Sequence, residues 1–93
     1  MRTIERSSIF RRDYKRETKG QHRTTLDDDL VPVLTALTND KLLEAWHRDH
    51  ALSGDWSGYR ECHVKPNLLL IYRKPDEETL QLVRLGSHSE LFR

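Results

Sequence analysis

Tyr59-Arg60-Glu61-Cys62-His63-Val64-Lys65-Pro66-Asn67-Leu68-Leu69-Leu70-Ile71-Tyr72 is the stretch that decides the fold. It reads as two strands joined by a tight connection at Lys65-Pro66-Asn67. The first run alternates, with Tyr59, Glu61 and His63 on one face and Arg60, Cys62 and Val64 on the other. The second run, Leu68 to Tyr72, is apolar without a break, as a strand covered on both faces must be. Pro66 has no N–H to give to a ladder and therefore belongs to the connection. This hairpin sets titratable side chains directly beside the most apolar segment of the chain.

Downstream of the hairpin, Pro75-Asp76-Glu77-Glu78 reads as a turn and Thr79 to Leu85 as a further strand, with Leu80, Leu82 and Arg84 on one face and Gln81, Val83 and Leu85 on the other. Gly86-Ser87-His88-Ser89 breaks out of it, and Leu91-Phe92 reads as an apolar anchor. Upstream, Gly54 and Gly58 mark a loop through Trp46 to Trp56. Leu26, Leu30, Val33, Leu34 and Leu37 form the apolar face of a helix, opened by Thr25 and Asp28 as a capping box. Pro32 predicts that the regular helix begins near Asp29 or is kinked. Asn39 and Asp40 end it or recap a short helix over Lys41 to Ala45. Ile9 to Lys19 reads as a surface helix capped by Ser7 or Ser8, with a narrow stripe of Ile9, Phe10 and Tyr14 and a basic outer face. Thr3 to Arg6 suits an edge strand. The expected architecture is α+β: two to three N-terminal helices packed on one face of a small, mainly antiparallel twisted sheet.

Ninety-three residues fit one domain spanning 1–93. No apolar run approaches the ~20 residues that cross a bilayer. Met1 to Arg6 carries no apolar stretch, and a protein without signal peptide or membrane contact, working in the cytoplasm, is expected. The single cysteine, Cys62, rules out a disulfide framework within the chain and suits a reducing compartment. The net charge of +1 conceals an asymmetry: residues 1–24 carry eight Lys or Arg against three acids, and residues 25–61 the reverse balance of three against eight. A basic N-terminal third can meet phosphate or an acidic partner, or simply be a solvated helix face.

Four of the five histidines, His47, His50, His63 and His88, fall at loops or strand ends of the second half. Three readings compete. Metal binding has only the spacing of His47 and His50 in its favour, with no cysteine pair beside them. General acid–base chemistry needs groups that titrate near neutrality, and imidazole does. Cleavage of RNA by its own 2′-hydroxyl would call on a base, an acid and cations for the phosphorane, a set that His50, His63, His88, Lys65 and Arg84 could fill. The third reading is that each histidine is merely a polar loop residue. Cys62 projects away from His63, and no Gly-rich elbow surrounds a serine, so nothing points to a covalent nucleophile. Trp46 and Trp56 read as core or satellite-core aromatics.

The run Asp49-His50-Ala51-Leu52-Ser53-Gly54-Asp55-Trp56-Ser57-Gly58-Tyr59-Arg60-Glu61-Cys62-His63-Val64-Lys65-Pro66 and on to Tyr72, with Arg84-Leu85-Gly86-Ser87-His88-Ser89-Glu90-Leu91-Phe92, resembles the YafQ branch of the RelE/ParE toxin superfamily. The resemblance covers about the last half of the chain. It implies the RelE-like fold and the toxin of a type II toxin–antitoxin pair. Such a toxin is a ribosome-dependent endoribonuclease that cuts mRNA in the A site by 2′-hydroxyl attack, without metal or other cofactor, leaving a 2′,3′-cyclic phosphate. It implies His88 as general acid, His63 or His50 as base or phosphate stabiliser, Arg84 as a further stabiliser, and Phe92 as an aromatic that orders the site or the RNA. The implied partners are a small, dimeric DNA-binding antitoxin, operator DNA through that complex, the ribosome and mRNA. The basic helix face of Arg11, Arg12, Lys15, Arg16 and Lys19 would meet either the antitoxin or ribosomal RNA, and ribosomal RNA is the expectation because phosphate contacts are electrostatic and salt-sensitive. Two positions depart from the family pattern: Asn67 stands where an Asp is usual, and Leu68 where an aromatic can follow. Asn hydrogen-bonds but does not ionise. The alternative is therefore a catalytically weakened homologue that binds the antitoxin and serves as co-repressor.

Overall fold

The computed structural model describes residues 1–92. Five strands form one sheet: β1 (Thr3–Arg6), β2 (His50–Ala51), β3 (Arg60–Lys65), β4 (Leu68–Arg73) and β5 (Thr79–Gly86), in the order β1-β5-β4-β3-β2. β1 runs parallel to β5 and the other pairs are antiparallel. The hairpin turns at Pro66-Asn67, and Val64 is the extra residue where the β3–β4 register shifts between His63 and Lys65. Three helices complete the fold: α1 (Ser8–Glu17), α2 (Leu26–Thr38) and α3 (His88–Leu91).

The face under α1 and α2 is the main core. Phe10, Leu26, Leu30, Val33 and Leu37 pack there on Cys62, Val64, Leu68, Leu70, Tyr72, Leu80, Leu82 and Leu85. On the opposite face Leu69 and Ile71 lie under Leu91, with Leu52, Trp56, Tyr59, Val83 and Phe92 packed around them. Leu68 to Tyr72 is thus buried from both sides, as its composition demands. Trp56 belongs to this second cluster, whereas Trp46 is half exposed and stacks on His47.

Several local expectations are corrected. A β-bulge between Ile71 and Tyr72 leaves Val83 unpaired, with Arg84 opposite Ile71 and Leu82 opposite Tyr72. The bulge resets the alternation of β5, so Leu85 joins Leu80 and Leu82 in the main core. α2 starts at Leu26 with Pro32 inside it, and Thr25 makes no side-chain cap. The cost of an interior proline is ~3 kcal/mol. Burial of Leu26, Leu30, Val33 and Leu37, at roughly 1.5–3 kcal/mol each, outweighs it. No helix forms over Lys41 to Glu44; a 3-10 turn follows at Ala45–His47, and His50–Ala51 pairs with β3 instead of remaining loop. α1 buries Asp13 and Glu17 beside Phe10, so two carboxylates complete the inner face that its apolar stripe left narrow.

Candidate active site

His63, Asn67 and His88 open onto one cleft of about 670 Å³ on the face away from α1 and α2. Glu61, Leu69, Ser87 and Phe92 also line it. β3 supplies Glu61 and His63, the hairpin turn supplies Asn67, and α3 with its cap supplies Ser87, His88 and Phe92. The alternation of β3 sends Cys62 into the helix-covered core and His63 to the cleft.

His63 Nδ1 lies 3.2 Å from the carbonyl of Pro66. A carbonyl only accepts, so Nδ1 carries the proton and Nε2 of the neutral ring is left as an acceptor. His50 sits across the ladder from Glu61, with Nε2 3.7 Å from the Glu61 carboxylate and Nδ1 2.6 Å from the Arg48 carbonyl. Asp49 fixes this short edge strand by accepting from the Tyr72 hydroxyl at 2.6 Å and from Arg60 at 3.2 Å. His50 therefore stands beside the buried carboxylate at the cleft's edge. His47 turns the other way and donates to the His63 carbonyl at 2.6 Å, so His47 and His50 do not converge.

His88 is the first residue of α3 and is exposed; its ring centroid lies 5.1 Å from that of Phe92. Phe92 packs in turn edge-on to Trp56 at 6.2 Å. Ser87 closes a capping box with Glu90: its Oγ accepts from Glu90 N, and Glu90 Oε1 accepts from Ser87 N at 2.8 Å. That hydrogen bond, with Arg16 nearby, holds the Glu90 carboxyl below the ordinary Glu range against the opposing effect of burial.

The two cations named from sequence are directed elsewhere. Lys65 pairs with Asp29 of α2 and donates to the Thr25 hydroxyl just before that helix. Arg84 Nε donates to Asp13 at 2.8 Å. Among the described residues, the cleft lining includes two imidazoles, His63 and His88, and no Lys or Arg. Arg16 also leaves the outward basic face of α1, bonding Asp13, Glu17 and Glu90. Burial, with Asp49 and Glu61 close by, pushes the Cys62 thiol up to about 12 and removes it as a nucleophile.

Sequence reasoning passed over Glu61, Asp13 and Glu90 as site elements. The Ser87-Ser89-Glu90 spacing, Ser followed three residues on by Glu, was a readable capping box. Asp13 had no signal, because an acid on a charged helix looks solvated until the strand it faces is known.

The chain is similar throughout its length to proteins of one kind. The family model described as "Bacterial toxin of type II toxin-antitoxin system, YafQ" matches residues 2–93. The mRNA interferase toxin YafQ of Escherichia coli strain K12 is 39% identical over 92 residues, covering 98% of this chain and 96% of that protein. The YafQ chain in the crystal structure of the E. coli DinJ-YafQ complex superimposes with a TM-score of 0.85 at 37% identity, over 100% of both chains. A copper-bound mutant toxin from Helicobacter pylori gives a TM-score of 0.87 at 39% identity, over 99% of this chain and 100% of that one. Among the described residues of the present chain no group of three or more His, Cys, Asp or Glu is arranged to hold a metal ion.

Proposed function

The chain belongs to the YafQ family of bacterial type II toxin–antitoxin toxins, and from that membership we propose that it is a ribosome-dependent endoribonuclease that cuts mRNA in the A site. The observation that carries the proposal is that His63 and His88, from separate elements, open onto one cleft, with Glu61 in its lining and His50 beside that carboxylate at its edge.

The chemistry follows from the rings. His63 Nε2 takes the proton of the ribose 2′-hydroxyl, its tautomer fixed by the Pro66 carbonyl. O2′ then bonds to phosphorus while the P–O5′ bond breaks, and the protonated His88 gives its proton to O5′. The products are a 2′,3′-cyclic phosphate and a 5′-hydroxyl. His50 adds charge to the phosphorane from the cleft's edge, and Glu61 orients it. Phe92 and Asn67 position the RNA, the ring by stacking and the amide by hydrogen bonding. Arg84 and Lys65 serve this reaction through their ion pairs with Asp13 and Asp29, not at the phosphate. One domain over 1–93 carries the whole activity. Its partner is a small antitoxin, dimeric and DNA-binding, by analogy with the DinJ-YafQ complex. Operator DNA is reached through that assembly, and the work on ribosomes belongs in the cytoplasm.

A second reading rests on Asn67, which lines the cleft where the family pattern has Asp. In it the chain is a weakened nuclease that acts by binding its antitoxin. Cleavage of a defined mRNA on programmed ribosomes by wild type, His88→Ala and Asn67→Asp separates the two. The expected result is A-site cleavage with a cyclic phosphate end, lost by a factor of about 100 to 10,000 in His88→Ala. A silent wild type revived by Asn67→Asp would replace the nuclease reading with the second.

A further inference from the structure

β1 covers only the first half of β5, pairing Thr3 to Arg6 with Thr79 to Leu82. Beyond Leu82 the edge of β5 would present bare backbone groups. Side chains of the segment that follows β1 take them instead. Ser7 Oγ donates to the Val83 carbonyl at 2.8 Å, Asp13 Oδ2 accepts from Leu85 N at 3.0 Å, and Arg16 Nη2 donates to the Leu85 carbonyl at 2.8 Å. The chain leaving Leu85 goes straight through Gly86 and Ser87 into His88.

The carboxylate that anchors this arrangement is buried and fully occupied. Asp13 is 2% exposed. It accepts from Arg84 Nε at 2.8 Å and Nη2 at 3.3 Å, from Arg16 Nη1 at 3.0 Å, and from Leu85 N. Arg16 carries the connection onward, its Nε 3.2 Å from Glu90 Oε2. Glu90 is the same residue whose other oxygen caps Ser87 N. Hydrogen bonds to Asp13 and Glu17 therefore hold Arg16 in place, and an ion-pair contact joins it to Glu90, which caps α3. Four residues of helix have no stability of their own, since helix nucleation alone is unfavourable.

We propose that Arg16 is a positioning residue for the ribonuclease reaction: with Asp13 and Glu90 it fixes the short helix that presents His88 to the cleft. The inference rests on the nuclease reading above. It assigns to α1 a part in catalysis through its inner face, apart from any contact made by its outer one. The rationale is geometric. A group transferring a proton to a leaving oxygen must stay within hydrogen-bond reach of it, and a displacement of about 1 Å costs about a hundredfold in rate.

The test measures kcat and KM for mRNA cleavage on ribosomes with wild type, Arg16→Ala, His88→Ala and the double variant, together with the melting temperature of each. Arg16→Ala is expected to lower kcat by about a hundredfold with KM little changed. Free guanidinium is expected to restore part of that loss. In the His88→Ala background the same change should cost nothing further, because Arg16 acts through His88. Glu90→Ala breaks that contact from the α3 end and should reproduce the kcat loss even if Arg16→Ala folds poorly. Two results overturn the inference while leaving the nuclease intact: wild-type kcat in both Arg16→Ala and Glu90→Ala, or losses that multiply fully with that of His88→Ala. A wild type that does not cleave overturns the nuclease reading and this inference together.

Discussion

His63 and His88 face the same cleft but are held by different physics. His63 stands on β3, paired with Leu69 of β4 on one side and bonded through its carbonyl to His47 on the other, and is backed by the main core through Cys62, Val64 and Leu70. His88 stands on a single helical turn held by a capping box, an ion-pair contact and the Leu91 side chain. One position is as rigid as the whole fold. The other depends on a few polar contacts and can loosen while the fold persists, as segments with few buried contacts do. A base fixed on a strand and an acid on a separately tethered turn can therefore fail independently.

The largest effect that sharpens this contrast is predicted for Leu70→Ala. Leu70 is fully buried opposite Cys62, and removing it leaves a cavity costing about 2–5 kcal/mol. Global melting should drop steeply, and the His63 and His88 environments should be lost together at one midpoint. If His63 were to loosen well before the global transition, the strand would not be the rigid half of the pair. A smaller and more local effect is expected for Gly86→Ala. A methyl there would lie 2.8 Å from Arg16 Nη2, 3.2 Å from Glu90 Oε1 and 3.3 Å from Leu91 Cδ2. Arg16 cannot swing away without giving up Asp13, Glu17 or the Leu85 carbonyl. Overpacking costs about 1–3 kcal/mol, against an unfolded-state gain of about 0.4–1 kcal/mol for replacing glycine. A net loss of about 1 kcal/mol should appear in chemical denaturation. Amide exchange should show it concentrated at Ser87 to Leu91, with β3 protection retained.

The same division governs what was legible in the sequence. Leu68 to Tyr72 announced a doubly covered strand because an unbroken apolar run has few other places to go, and the alternation of Tyr59 to Val64 put His63 and Cys62 on opposite faces as found. The motif residues His50, His63 and His88 were readable as a set. Their supports were not. The bulge that leaves Val83 unpaired shifts the face of Leu85, and no local pattern specifies a bulge without the partner strand. Asp13 and Arg16 look like solvated helix charges until β1 proves too short to cover β5, a tertiary fact that gives Leu85 its side-chain partners. Lys65 and Arg84 were named among the cations for the phosphorane, Arg84 also by the family resemblance. Their side chains instead reach α2 and α1, where carboxylates that the sequence could not place in space were waiting. Pro32 was read as setting the helix start near Asp29 or kinking it, because its local cost is definite, whereas the burial that carries α2 back to Leu26 depends on the sheet beneath.

The smallest predicted effect isolates the tether itself. Glu90 has its carboxyl lowered from the ordinary value of 4.5, first by the Ser87 N–H it accepts and then by Arg16. A depressed folded-state value means that the ionised form is the one the fold favours, so its stabilisation is complete above 4.5 and is lost as pH falls through the lower folded value. The side chain is partly exposed, and solvent screening makes the change in global stability small. The local change should be clearer. Acidification through that range should shift the Ser87 amide and the ring resonances of His88 and Phe92, while His63 and its strand neighbours stay unmoved. Glu90→Gln keeps a carbonyl oxygen for the Ser87 N–H but has no charge to titrate, so it should flatten that dependence and weaken the link to Arg16 at every pH. If His63 moved with His88 on acidification, or the dependence survived Glu90→Gln, the two halves of the cleft would not be held separately after all.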